Sequence, residues 1–297
     1  ANKFAADGVK FVIGHFNSGV TMPSSEVLQD NGILQITPAA TNPRITERGM
    51  WNIFRTCGRD DQQGGMAGAI IAEKFKGKRV AIIHDKTTYG QGLAEETRKA
   101  MQAKGMKEVM FEGVNKDDKD FSAVITNMKA KNPQLVYFGT EFQLAGPMSS
   151  QMKAAGLNVP LMGGDGIYDD KYISLAGAKS DGDMATSVGA PIETLASGKG
   201  FLDAYKAGGF KDGYSAYGAY GYDAANAIIA ALKTSLPSAA DGAAARKATV
   251  DAMAKVSFDG ATGKVAFDQY GDAVSKTLTV YAVQGGKWVA KSTGDLK

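Results

Sequence analysis

Short apolar runs alternate with helix-period stretches along most of this chain, and no other feature restricts its fold as much. The runs are Lys10–His15, Ile33–Thr37, Asn52–Thr56, Arg79–His84, Lys107–Phe111, Leu135–Gly139 and Asp183–Val188. They are rich in Val, Ile and Phe and bounded by Gly, Pro or charged residues, the pattern of short buried strands. Between them, Phe121, Val124, Ile125 and Met128 fall on one helical face, and Leu144, Met148, Met152 and Ala155 on another that Gly156 ends. Asp60 or Asp61 can cap a helix running to about Phe75; Gly90–Lys104 and Tyr217–Lys233 read as two more. Strands alternating with helices of this length imply an α/β protein built of βαβ units, with mostly parallel sheets and right-handed crossovers. The last third departs from the alternation. There the tract Phe258–Asp268 precedes a strand pair, Thr277–Val283 and Lys287–Ala290, turned by Gly285-Gly286. Pro237–Gly242 reads as an exposed linker. The chain opens in a helix pattern, Ala1 to Asp7, that runs into a buried strand, as in a lobe lacking its first βαβ unit.

Composition removes several function classes. A length of 297 residues suits two lobes of ordinary size. Net charge is only +3, with no basic stripe interleaved with aromatics, so no nucleic-acid partner is expected. No apolar run approaches the roughly 18 residues that would suggest a membrane span. Cys57 is the single cysteine, which forbids an internal disulfide and leaves the compartment open.

Catalytic and metal motifs are missing. His15 and His84 stand far apart and in no metal spacing, and both read as structural residues at strand ends. Cys57 has no base partner in view and reads as packing. There is no nucleophile elbow. Gly260-Ala261-Thr262-Gly263-Lys264 lacks phosphate-loop spacing and precedes a strand, and Gly163-Gly164-Asp165-Gly166 is no dinucleotide fingerprint. Asp117-Asp118-Lys119-Asp120 is most simply the acidic start of a helix. No enzyme activity, cofactor or metal is expected.

The positive signal is for recognition. Val12-Ile13-Gly14-His15-Phe16-Asn17-Ser18-Gly19 and Ile33 to Pro43 each place a hydroxyl, Ser18 or Thr41, just past a strand. Ligands of open α/β sheets bind outside the carboxyl ends of strands, and bare N–H groups at a helix start favour an anion. Ser18 and Thr41 either line such a site or merely cap and turn the chain. Asp165, among glycines, either holds an ammonium or forms a turn. Tyr89 follows the strand ending at His84-Asp85, and Tyr214 lies in a loop before a helix, where packing is its simplest role.

As a set these segments resemble the periplasmic leucine/isoleucine/valine-binding proteins that feed ABC transporters. Gly14–Gly19, Ile36–Pro43, Phe54-Arg55-Thr56, His84-Asp85-Lys86 with Tyr89-Gly90, and Phe258–Asp268 recur there in this order, and the likeness runs the length of the chain. It implies the type I periplasmic-binding-protein fold: two α/β lobes, each a mostly parallel sheet flanked by helices, joined by three hinge crossovers and closing on a ligand. The crossovers fall near Arg59, Gly189 and Tyr270, giving lobe 1 as 1–59 plus 190–269 and lobe 2 as 60–189 plus 270–297. Ser18 and Thr41, with backbone groups at Ala39 and Thr41, match positions that hold the ligand α-carboxylate; Asn17 and Ala40 belong to the same two segments. The carbonyl of Ala39 and the hydroxyl of Thr41 also match groups near the ammonium. Tyr89 matches an aromatic from lobe 2 that covers the ligand, and Asp165 falls where the family usually has Glu, the partner of the ammonium. Phe16 stands where Leu is common, Tyr214 lies toward the side-chain end of the pocket, and Glu141 or Phe142 occupies a further pocket position.

The implied protein is a periplasmic, monomeric solute-binding protein that captures a free amino acid and contacts an inner-membrane ABC permease transiently. A receiver of the same fold, signalling to a chemoreceptor or kinase, is the alternative. Asp165 is a methylene shorter than Glu, and Phe16 takes volume from the pocket. Both departures favour a smaller ligand than leucine, such as alanine, serine or proline, or a short ω-amino acid such as GABA.

Overall fold

The computed structural model describes residues 1–238 and 242–295; half of the expected linker, residues 239–241, lies outside the described residues. The chain forms two compact units, Ala1–Gly58 with Gly189–Lys276, and Arg59–Val188 with Thr277 onward. The third passage between them therefore lies at Lys276/Thr277 rather than near Tyr270. The segment after Tyr270 is tied to the first unit: the Arg55 N–H donates to the Gly271 carbonyl, and the Arg55 side chain pairs with Asp272.

The first unit is built on a three-stranded parallel sheet, in the order Phe11–Ile13, Leu34–Thr37, Ile53–Arg55. The middle strand is buried throughout. Against it lies the helix Gly218–Ser235, which turns Ala224, Ala227, Ile228 and Ala231 inward at i, i+3, i+4, i+7. Small side chains on that face let the helix come close to Leu34, Ile36 and Phe54, and Met253, Val265 and Phe267 complete the core. The Gly260–Lys264 tract is the turn of an antiparallel hairpin, Ser257–Gly260 with Gly263–Ala266. The buried carboxylate of Asp223 accepts the N–H groups of Ala261 and Thr262, both at 2.8 Å, and the Thr262 hydroxyl. These bonds account for the turn structurally.

The second unit holds a seven-stranded sheet in the order Lys287–Asp295, Thr277–Gln284, Met184–Val188, Leu161–Gly163, Leu135–Gly139, Val80–His84, Met110–Gly113. The first two of these run antiparallel to their neighbours and the other five are parallel. Leu135–Gly139 and Val80–His84 are buried on both faces, as parallel sheets require. Their side chains alternate between two cores. Ala81, Ile83, Val136 and Phe138 pack on the helices Ser122–Lys131, Phe142–Ala154 and Asp170–Ala176; Val80, Ile82, Leu135 and Tyr137 pack on Asp60–Lys74 and Thr88–Ala103. The chain leaves Val80–His84 for the edge strand Met110–Gly113, then returns to the other side as Leu135–Gly139. The sheet thus has a topological switch point between Val80–His84 and Leu135–Gly139.

Some boundaries differ from expectation. The strand placed at Lys107–Phe111 is Met110–Gly113, because pairing begins at Ala81 opposite Met110. Arg59 occupies the N-cap of its helix, with Asp60 and Asp61 in the first turn, where the helix dipole favours negative charge. Asp120 accepts the Ser122 N–H at 2.9 Å, as the acidic tract suggested. Among the described residues no helix is long and apolar enough to cross a membrane.

Candidate functional site

In the first unit the carboxyl ends of the first two strands are bonded to each other. Thr37, the last residue of its strand, donates its hydroxyl hydrogen to the His15 carbonyl at 2.8 Å and accepts from the N–H groups of Ala39 and Ala40. Thr21 also donates to the His15 carbonyl. Ser18, first residue of the helix Ser18–Asp30, accepts the Asn42 N–H at 3.2 Å. Asn17 is that helix's N-cap, and its carbonyl accepts from Val20 and Thr21. The structure thus brings Asn17 and Ser18 together with the loop holding Ala39, Ala40 and Thr41.

Within this loop the donors differ in availability. The Ala39 and Ala40 amides are spent on Thr37. Thr41 is 1% exposed, and its hydroxyl is buried without a hydrogen-bond partner. A buried hydroxyl that bonds nothing costs roughly 1–3 kcal/mol, a cost that a ligand acceptor would remove. Ser18 and Thr41 are therefore not equivalent: one closes the loop and the other is left for another partner.

Phe16 is 54% exposed and meets Tyr217 edge to face, with centroids 5.3 Å apart. Tyr214 lies elsewhere. Its ring packs edge-on against Phe201 and Tyr205, and its hydroxyl donates to Glu193. The aromatic that accompanies Phe16 is Tyr217, at the N-cap of Gly218–Ser235. In the run Tyr214-Ser215-Ala216-Tyr217 only the position of the helix start separates the two tyrosines. His15 and His84 are held below their ordinary pKa chiefly by burial, and His84 accepts the Lys86 N–H, as befits structural residues.

In the second unit Tyr89, Thr140 and Asp165 follow the carboxyl ends of three adjacent parallel strands and so flank the switch point. The Asp85 carboxylate fastens the first two of these loops, accepting from the N–H and hydroxyl of Thr87 and from the Thr140 hydroxyl. Thr87 caps the helix that carries Tyr89 by accepting the Gly90 N–H. A side chain at Gly90 would collide with the Gly139 carbonyl at 2.4 Å, so glycine lets the helix start on the strand end.

Asp165 is the centre of this cluster. Its Oδ1 accepts the Tyr89 hydroxyl and the Gln63 amide, each at 2.8 Å. The Gln63 carbonyl accepts in return the Asp165 N–H and the Thr186 hydroxyl. Tyr89 also accepts the Gly166 N–H, across a gap that a Cβ on Gly166 would fill. Burial pushes the Asp165 carboxyl above its ordinary range, and the donors from Gln63 and Tyr89 work against that shift. Burial, with the Asp165 and Asp60 carboxylates nearby, raises Tyr89 well above its usual value, so it stays a hydrogen-bond donor. Phe142 opens the helix Phe142–Ala154 and packs half-buried on the core, 5.9 Å from the Lys171 ammonium; Glu141 is that helix's N-cap.

Sequence reasoning missed Gln63, Arg55 and Tyr217 as parts of these clusters. Gln63 carries no motif, but a glutamine that shares its helix face with Ala67, Ile71 and the buried Asp60 is a usable sign. Arg55, buried at the end of an apolar strand, is a stronger one.

The periplasmic binding protein family model matches residues 1–287. The chain belongs to the periplasmic binding proteins. Within this family it is 44% identical over 287 residues to Leu/Ile/Val-binding protein homolog 1 of Brucella abortus, covering 96% of this chain and 75% of that one. It is 39% identical over 281 residues to the leucine-, isoleucine-, valine-, threonine- and alanine-binding protein of Pseudomonas aeruginosa, covering 95% and 73%. Among solved periplasmic binding proteins, the leucine-binding protein LivK of Thermotoga maritima superposes with a TM-score of 0.87 at 23% identity, covering 99% of this chain and 83% of that one. The branched-chain amino-acid transporter substrate-binding protein LivJ of Streptococcus pneumoniae, solved with isoleucine, gives 0.84 at 27% identity, covering 99% and 81%. The two-lobed type I fold is therefore that of this chain, and its relatives are solute-binding proteins, not enzymes.

Proposed function

We propose that this protein is the extracytoplasmic solute-binding component of an ABC importer and captures a free amino acid. The observation that carries the reading is Asp165: a buried carboxylate one strand from the switch point, held by two donors, in a protein whose relatives are named for amino acids. Asp165 pairs with the ligand ammonium. The Thr41 hydroxyl and N–H and the helix start at Ser18 receive the α-carboxylate. A zwitterion needs both kinds of group, and charge-assisted bonds of this sort contribute roughly 1.5–3 kcal/mol each. Tyr89 holds Asp165 in addition to lining the site.

The ligand is a small aliphatic amino acid in preference to leucine. Phe16, with Tyr217 behind it, restricts the side-chain space, and Asp165 is short for an ammonium partner. The Pseudomonas relative whose name includes threonine and alanine is consistent with such a preference. Titration calorimetry with leucine, isoleucine, valine, threonine, alanine, serine, proline and 4-aminobutyrate tests both claims. Binding of none of them overturns the amino-acid reading; leucine far tighter than all the small ligands overturns the preference alone.

A further inference from the structure

Arg55 is wholly buried in the first unit, and every one of its N–H groups is used. Nε and Nη2 donate to Asp272 Oδ1 at 2.8 and 2.6 Å, and Nη2 also donates to the Thr46 hydroxyl at 2.9 Å. Nη1 donates to the carbonyls of Ala40, at 3.1 Å, and Asn42, at 2.8 Å. Thr46 in turn donates to Asp272 Oδ2 at 2.9 Å. Buried ion pairs of this kind are poor sources of stability, because desolvation offsets their attraction. What this pair does supply is orientation. Its two backbone acceptors are the carbonyls on either side of Thr41.

The Ala40–Thr41 peptide is trans, and in a trans peptide the N–H points opposite to the C=O. With the Ala40 carbonyl drawn to the guanidinium, the Thr41 N–H must point away from it. The same residue carries the buried hydroxyl that lacks a partner. We infer that Arg55, braced by Asp272 and Thr46, is a positioning residue: it fixes the Thr41 N–H and hydroxyl as a preformed donor pair for the ligand carboxylate. This rests on the proposed amino-acid site. Arg55 and Asp272 also belong to two of the segments that lead out of this unit, toward Gly58/Arg59 and Lys276/Thr277, so the donor pair is anchored where the chain leaves the unit.

The test compares Arg55→Lys, Asp272→Asn and Thr46→Val with the parent chain by two measurements. One is the affinity ratio for L-leucine over L-leucinamide, and for L-alanine over L-alaninamide, since the amides lack the carboxylate. The other is hydrogen exchange at the Thr41 amide without ligand. The inference expects the ratio to fall about tenfold in Arg55→Lys and severalfold in Thr46→Val, with amide affinity nearly constant. It also expects faster Thr41 exchange in each variant. If folded variants keep the ratio and the exchange rate, or lose affinity for acid and amide alike, Arg55 is merely structural. Should Arg55→Lys fail to fold, the milder Thr46→Val decides. A parent chain that binds neither acid overturns the functional reading instead, while the exchange comparison still judges the role of Arg55.

Discussion

Tyr89 donates its phenolic hydrogen to Asp165 Oδ1 at 2.8 Å, although the two residues arrive from different strands of the second unit. Burial, with that carboxylate beside it, keeps the phenol from ionising readily, so it donates across the physiological range. Tyr89→Phe removes one of the donors that oppose the burial of Asp165. Amino-acid affinity should fall by about 1–2 kcal/mol in titration calorimetry. An unchanged affinity would separate Tyr89 from the ligand's ammonium partner.

The raised pKa of Asp165 predicts a pH dependence of binding. Burial makes the folded state hold this proton above the pH at which the unfolded chain releases it. Stability from this group therefore falls as pH rises through the window above the ordinary carboxylate range, and is constant beyond it. An ammonium ligand needs the charged form, so affinity should weaken as pH drops through the raised pKa. Calorimetry across that window should show release of at most one proton on binding. Asp165→Asn should bind weakly and without that dependence.

Thr41→Val exchanges an unpartnered buried hydroxyl for a methyl of similar shape. Ligand affinity should drop about tenfold or more, while the unliganded protein holds or gains up to about 1 kcal/mol. Paired calorimetry and denaturant titration check the opposite signs. A fall in stability with unchanged affinity would make Thr41 a structural residue.

Phe16 is more than half exposed, and shortening it removes its edge contact with Tyr217. Phe16→Leu should change stability by less than about 1 kcal/mol and raise the affinity ratio of leucine to alanine. A ratio that stays constant in a binding panel would remove Phe16 from the side-chain pocket.

The second unit also holds a buried ion pair away from these clusters. Lys153 donates to both oxygens of Asp183 at 2.7 Å, and Ser149, Tyr172 and the Leu161 N–H complete the carboxylate's partners. Lys153→Met strands that charge and should cost roughly 3–5 kcal/mol in denaturant unfolding, with amino-acid affinity unchanged where the protein is folded.

Strand and helix period make the layered α/β fold legible in the sequence, and Leu135–Gly139 lies at the expected residues. Met110–Gly113 does not, because its polar end is recruited by pairing with His84 rather than by its own pattern. Ser18, Thr41, Tyr89 and Asp165 stand out in the sequence because each follows a strand. Tyr214 and Tyr217 look alike in the sequence, and only tertiary packing puts Tyr217 against Phe16 and Tyr214 against Phe201.

Apolar period and turn residues act over a few positions, so the chain alone decides its class of fold and the absence of catalytic motifs. Which polar groups meet is another matter. Tyr89 and Gln63 reach Asp165 across 76 and 102 residues of chain, and Arg55 reaches Asp272 across 217. Such pairings cost desolvation unless distance and direction are both satisfied. Those are set when the strands align, which is why Thr41 emerges as an unpartnered donor and Ser18 as a loop tie, though in sequence they look alike.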